Sequence, residues 1–330
     1  MRLFHSLVAT VGVGIFIRPA FADVTATSLF ETIPSGTDGN CDGKDLDTMV
    51  EEAINLNNAA IRALDILTQD KVLSTSGNEG RYGELASAIW GVFIDQPVLY
   101  FGYKYRFDKE DRDKLNQIKG YFNMVNEKLL SGSNSDSGKL VCGATDWVYA
   151  KTFGDIGYTG EEQYIDLPQD IYISKYWSQK DEQDKYIFEQ GKIIATHEEE
   201  RHGNSLCDPP VKAETWANSK LIMMCDSCFT QSKLYDLYAE QDSWEEGKYI
   251  DELVTAGSEF QHEMFHYLNE GIGDQKVAGK PAYGWINTVT LAAIEGGNPV
   301  KNADNYRVFA TAVFFDRVTW TAEGTKEASE

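Results

Sequence analysis

Apolar residues recur along the chain at two different spacings. From Leu46 to Leu67 the positions Leu46, Met49, Val50, Ala53, Ile54, Ala60, Ile61, Leu64 and Leu67 share one face of a helical period, which predicts a long amphipathic helix. Further helices are expected over about Glu84 to Phe93 and Asp111 to Leu130. The stretch Ser131 to Lys139 (SGSNSDSGK) offers no apolar face and reads as a loop. Short β-like runs follow at Lys139 to Cys142, Trp147 to Phe153, Ile171 to Trp177 and Leu221 to Cys225, with an acidic amphipathic helix expected over Asp181 to Ala195. Helical spacing then returns. Ser258-Glu259-Phe260-Gln261 has the S-x-x-Q form of a capping box and starts a helix that Gly271 ends. Gly284 to Glu295 forms another, and Asn302 caps a last one rich in Val308, Phe309, Val313 and Phe314. The pattern predicts an α+β fold, helix-rich, with a small sheet.

Composition narrows the partners. The 330 residues are 42% hydrophobic and 12% aromatic, enough to bury a core. Thirty Lys and Arg stand against 52 Asp and Glu, a net charge of -22, which disfavours nucleic acid and anionic membrane surfaces. Arg2, the apolar run Leu7 to Ile17 and Ala20-Phe21-Ala22 have the order of a secretory signal peptide with an A-x-A cleavage site, expected to span residues 1–22. Its removal takes away Arg2 and Arg18 and leaves 28 basic against 52 acidic residues, or -24. Secretion makes disulfides expected among Cys41, Cys142, Cys207, Cys225 and Cys228, with at least one thiol left over. Residues 23–40 read as an N-terminal arm or a short pro-segment.

The chemistry concentrates at His262-Glu263-Met264-Phe265-His266. One helical turn separates the two imidazoles by about 6 Å at Cβ, so both can reach one zinc at about 2.1 Å. Glu263 sits beside them as a general base for an activated water. Met264, Phe265 and Leu268 fall on the core side. Zinc then needs a third protein ligand. Glu270 continues the histidine row, but a straight helix spreads the three over about 12 Å. Gly271-Ile272-Gly273-Asp274 supplies a chain reversal with a carboxylate beyond it, which favours Asp274; Glu295 is the alternative. His197 and His202, in His-Glu-Glu-Glu-Arg-His, are five apart and read as a charged, solvated helix end.

His262 to His266, Gly271 to Asp274, Ala282-Tyr283-Gly284 and Asn302-Ala303-Asp304-Asn305-Tyr306 follow in an order that resembles the fungal deuterolysin-type metalloendopeptidases. These are the aspzincins, which include the peptidyl-Lys enzymes. Cys41 before the long helix and Cys225-Asp226 before the active helix extend the resemblance to about Cys41–Phe315. It implies a single zincin-like catalytic domain over residues 41–320, with an active-site helix and an insertion at about 153–202, ahead of a tail at 321–330. It also implies one Zn2+ held by His262, His266 and an Asp, Glu263 as base, and Tyr283 as donor to the oxyanion. The disulfides it implies are Cys41–Cys142 and Cys207–Cys225, leaving Cys228 free. In the family the ligand Asp follows Gly-Thr and lies three residues before the Tyr. Here Ile272 replaces the Thr and Lys280 occupies that register, so Gln275 to Pro281 reads as a local insertion that keeps Asp274 as ligand.

The expectation is a secreted, monomeric zinc endopeptidase acting on proteins or peptides. Its negative field should favour basic substrates, an effect that salt weakens. A catalytically inactive zinc-binding or interaction protein of the same fold is the alternative, and a metal-free structural matrix protein a third reading.

Overall fold

The computed structural model describes residues 24–95, 104–178, 180, 182, 183, 185, 195–197, 206–244, 247–321 and 324–327. The signal-like segment 1–22, most of the expected acidic helix at 181–195, and His202 lie outside these. Ala195 and His197 fall in a short strand, Ala195–His197, so His197 is not on a helix end. The helices in chain order are α1 (Ala26–Leu29), α2 (Leu46–Leu67), α3 (Gly77–Trp90), α4 (Lys109–Leu130), α5 (Leu234–Glu240), α6 (Ala256–Leu268), α7 (Gly284–Ala293) and α8 (Ala303–Phe314). With several small sheets, this is the expected α+β fold.

The long apolar period becomes α2, begun by the Asp45 side chain accepting from Thr48 N at 3.3 Å. Its apolar residues are buried along most of its length, and it packs against α3, α4, α6 and α8. Aromatic rings join those partners. Phe265 of α6 stacks on Tyr306 of α8 at 4.3 Å between centroids, Phe122 of α4 meets Phe265 edge-on at 5.3 Å, and Trp90 of α3 meets Tyr306 at 4.9 Å. Such pairs add about 0.5–1.5 kcal/mol each beyond burial.

A four-stranded sheet lies beside α6, in the order Glu31–Thr32, Lys139–Cys142, Leu221–Met224, Ala213–Trp216. The first three strands are parallel; Ala213–Trp216 is antiparallel and forms an edge facing α6. The N-terminal arm is woven into this core. Leu29 and Phe30 are buried, and the Phe30 ring lies edge-on to Phe260 and Tyr267 of α6 at 5.8 and 5.7 Å.

Strands Trp147–Thr152, Asp166–Ser174 and Ala195–His197 form an antiparallel lobe with its own small core around Ile156, Leu167 and Ile171. The expected strand to Trp177 stops at Ser174, because Lys175 to Trp177 turn. Buried Asp146 anchors the lobe by accepting from Tyr176 N at 2.9 Å and from the Ser174 hydroxyl. Disulfides join Cys41 to Cys142 and Cys207 to Cys225, and Cys228 is a buried free thiol, as the resemblance implied. Among the described residues no helix is long and apolar enough to cross a membrane.

Candidate metal centre

The helix that carries His262 and His266 is α6, and its start differs from the expected box. Thr255 is the N-cap: its hydroxyl accepts from Ser258 N at 3.1 Å, while Ser258 Oγ accepts from Thr255 N at 2.9 Å. Ser258 thus closes the box rather than opening it. A buried carboxylate from α2 adds a second hold. Glu52 accepts from Gly257 N at 3.1 Å and from Leu234 N, at the start of α5, at 2.6 Å. Burial pushes the Glu52 carboxyl above its ordinary pKa, against the pull of these donors. Position 257 admits only glycine, since a Cβ there would meet Glu52 Cβ at 2.2 Å.

His262 and His266 project from α6 with their Nε2 atoms 3.0 Å apart. The helix ends at Asn269, two residues before Gly271. Asn269 then organises the reversal, its Oδ1 accepting from Gly271 N at 2.8 Å and its carbonyl from Ile272 N at 2.9 Å. The Ile272 carbonyl lies 3.0 Å from His266 Nδ1. A proton on Nδ1 donating there leaves the Nε2 lone pair free for a metal. Gly273 is locked to the α8 entry, its N–H donating to Lys301 O at 2.9 Å and its carbonyl accepting from Ala303 N at 3.0 Å. This aims Asp274 at the histidines: its Oδ1 is 3.4 Å from both Nε2 atoms. Glu295 lies exposed beyond the end of α7 and is not part of this donor cluster.

Between Asp274 and Tyr283 the chain makes a hairpin, Lys276–Val277 against Lys280–Pro281, turning at Ala278 and Gly279 with φ of 51° and 81°. Its foot is closed. Ala282 N donates to Gln275 O at 2.7 Å, and the Asn302 side chain accepts from Gln275 N at 2.9 Å while donating to Ala282 O at 3.1 Å. Asn302 is thus a clamp across the hairpin and makes no side-chain cap of α8. Tyr283 lands next to Asp274, its hydroxyl donating to Oδ2 at 2.8 Å; the residue is 46% exposed and lines the cleft.

Asp304 of α8 is buried behind His262. Oδ1 lies 3.5 Å from His262 Nδ1, an ion-pair distance rather than a formed hydrogen bond. The same oxygen accepts from Arg307 Nε at 2.6 Å, and Oδ2 accepts from Gly284 N at 2.6 Å. Burial opposes the charge on Asp304, yet Arg307 and His262 hold its carboxyl far below the usual range. Burial likewise opposes charge on His262, but Asp274 and Asp304 raise its pKa well above normal. The cluster therefore favours a positive charge at this point.

Glu263 is 4% exposed, and burial lifts its carboxyl against the pull of the two histidines. Its Oε2 has no partner among the described residues. The three donors, Glu263 and Tyr283 line one cleft of about 650 Å³ between α6 and the segment Pro210 to Thr215. Met264 and Phe265 point into the core as expected, with Leu268 partly buried.

The structure brings together every residue expected at the site except Glu295. It adds Arg307 and Glu52, turns Asn302 from a helix cap into the hairpin clamp, and sets Asp304 of the Asn302–Tyr306 motif behind His262. Their signal was the polar run Asn302, Asp304, Asn305 and Arg307 on a helix that is buried on all sides. Comparison with known proteins returns no matching family model, no matching curated protein and no matching solved structure.

Proposed function

We propose that this chain is a secreted zinc endopeptidase of the aspzincin kind. The observation that carries the reading is the convergence of His262 Nε2, His266 Nε2 and Asp274 Oδ1 at 3.0–3.4 Å from one another, beside a buried, unpartnered Glu263 oxygen. Tetrahedral ligands about 2.1 Å from zinc lie about 3.4 Å apart, so these donors fit the ion. Bound there, zinc supplies Lewis-acid polarisation of the scissile carbonyl and acidifies a water.

The chain's own groups do the rest. Ile272 O and Asp304 orient the two imidazoles. Glu263 accepts the water's proton on its carboxylate and passes it to the leaving amine, a transfer that its raised pKa favours. The Tyr283 phenol, open to the cleft, swings its O–H away from Asp274 Oδ2 to donate to the developing oxyanion.

Register supports the same reading. With the closed hairpin Lys276–Pro281 set aside, Asp274-Gln275-Ala282-Tyr283 runs on continuously. The Asp then stands three residues before the Tyr, the spacing of the resembling family. The insertion is six residues long and begins after Gln275. The two disulfides accord with an oxidising compartment, and Glu214, Glu259 and Glu270 around the cleft accord with basic peptides.

The test is Glu263→Gln. One zinc per chain should be retained, while hydrolysis of casein falls by about 10²–10⁴; hydrolysis at the parent rate would sink the reading. Zinc at one per chain in the parent, without turnover of any peptide, would instead identify a zinc-binding protein of this fold. For basic peptides, kcat/KM should fall with ionic strength.

A further inference from the structure

Most charged side chains that line the cleft are acidic; apart from the two histidines, Arg307 and Lys212 are the cations of its described lining. Arg307 is unusual in how it is held. Its side chain is 10% exposed, and only Nε is engaged, by Asp304 Oδ1 at 2.6 Å. That contact tethers the guanidinium at Nε in a nearly buried position. No hydrogen bond or ion pair of the two Nη groups to a described residue accompanies it, and Arg307 lines the cleft. Glu259, on the neighbouring turn of α6, raises the Arg307 pKa from a distance without bonding to it.

A lysine or a single-point donor would serve Asp304 equally well. What arginine adds is a rigid pair of Nη donors, matched in spacing to the two oxygens of a carboxylate. Fixed in a largely dry wall, such a fork discriminates between charged and neutral groups more strongly than it would in water.

We propose that Arg307 forms a carboxylate-binding subsite beside His262. The substrate group seated there is an Asp or Glu side chain, or the terminal carboxylate of the peptide. The inference rests on the peptidase reading and deepens it. Two length scales then oppose each other: the overall negative field gathers basic peptides, whereas contact at Arg307 selects an acid at one position.

The test compares matched peptide pairs on the zinc-loaded protein: Glu against Gln at each position around the cleaved bond, and free acid against amide at the C-terminus. At one position the acid-to-amide ratio of kcat/KM should be about tenfold or more for the parent. It should collapse toward one in Arg307→Gln and be partly kept in Arg307→Lys. Which pair responds identifies side chain or chain end as the source of the carboxylate. A parent ratio within about twofold of one in every pair would overturn the proposal, as would a ratio that Arg307→Gln leaves intact. Because ratios are compared, a general loss of activity through Asp304 does not mimic the result. If the parent cuts no peptide at all, the peptidase reading fails on its own. Calorimetric binding of the same pairs to Glu263→Gln then decides Arg307 separately: tighter binding of the acids upholds the subsite, and equal binding overturns it.

Discussion

Replacing Asp304 by Asn tests whether one buried carboxylate orients the metal ligand and holds the start of α7. The swap keeps shape and removes charge. Arg307 then loses the buried counter-charge 2.6 Å from its Nε, and breaking a buried pair in this way costs about 3–5 kcal/mol. Separately, His262 Nδ1 loses the carboxylate 3.5 Å away; losing such a partner weakens metal affinity by about 10- to 100-fold. The two effects can be resolved. Urea denaturation of the metal-free protein reads the first, and chelator competition for zinc reads the second. Adding Arg307→Met should restore much of the stability but none of the zinc affinity. The depressed Asp304 pKa fixes the sign with pH. Its stabilisation is fully present above the unfolded-state value of about 3.9 and is lost as pH falls toward the native value, so parent and variant should converge in acid. Zinc affinity unchanged within twofold in Asp304→Asn would refute the orienting role.

Three further outcomes follow from the geometry. Because burial raises the Glu263 pKa, the acid limb of kcat/KM should lie above pH 4.5, with activity lost as pH falls through it; zinc content measured over the same range separates this from metal loss, and a limb at or below 4.5 counts against Glu263 as base. Phe30→Ala, which empties the space behind Phe260 and Tyr267, should cost about 3–5 kcal/mol in chemical denaturation. Excising Lys276–Pro281 should leave the zinc site intact, because Gln275 and Ala282 are already joined at the hairpin foot; loss of stoichiometric zinc binding in a folded variant would show that the hairpin shapes the site.

The sequence was most legible where one periodicity ran long or one apolar run stood alone. Leu46–Leu67 and Lys139–Cys142 have the bounds read from the pattern, because each is bracketed by polar residues and buries an uninterrupted set. The helix expected from Glu84 begins instead at Gly77. The glycines of its first two turns are packing devices: a Cβ at Gly80 would meet the Thr75 carbonyl at 2.1 Å, and one at Gly83 the Tyr105 hydroxyl at 2.2 Å. The histidine pair and its glutamate were readable because a single helical turn sets their geometry. Asp274 was harder, since its register depends on Gln275 touching Ala282 across a hairpin, a contact that linear spacing does not reveal. The roles of Asp304 and Arg307 were hidden for a related reason: polar residues inside an apolar helix carry no period, and only the packing of α8 against α6 and α7 shows what they face.

The cleft wall opposite α6 has a consequence for where the protein can work. Strands Ala213–Trp216 and Leu221–Met224 lie within the ring closed by Cys207 and Cys225, so a covalent clasp holds that wall, while none of the three candidate metal donors lies inside the ring. A reductant strong enough to open the clasp should first raise KM, with bound zinc still at one per chain. The site would keep its metal and lose its grip. On the proposed reading, redox conditions would act on substrate capture before the chemistry, through the Cys207–Cys225 bond that spans the cleft wall.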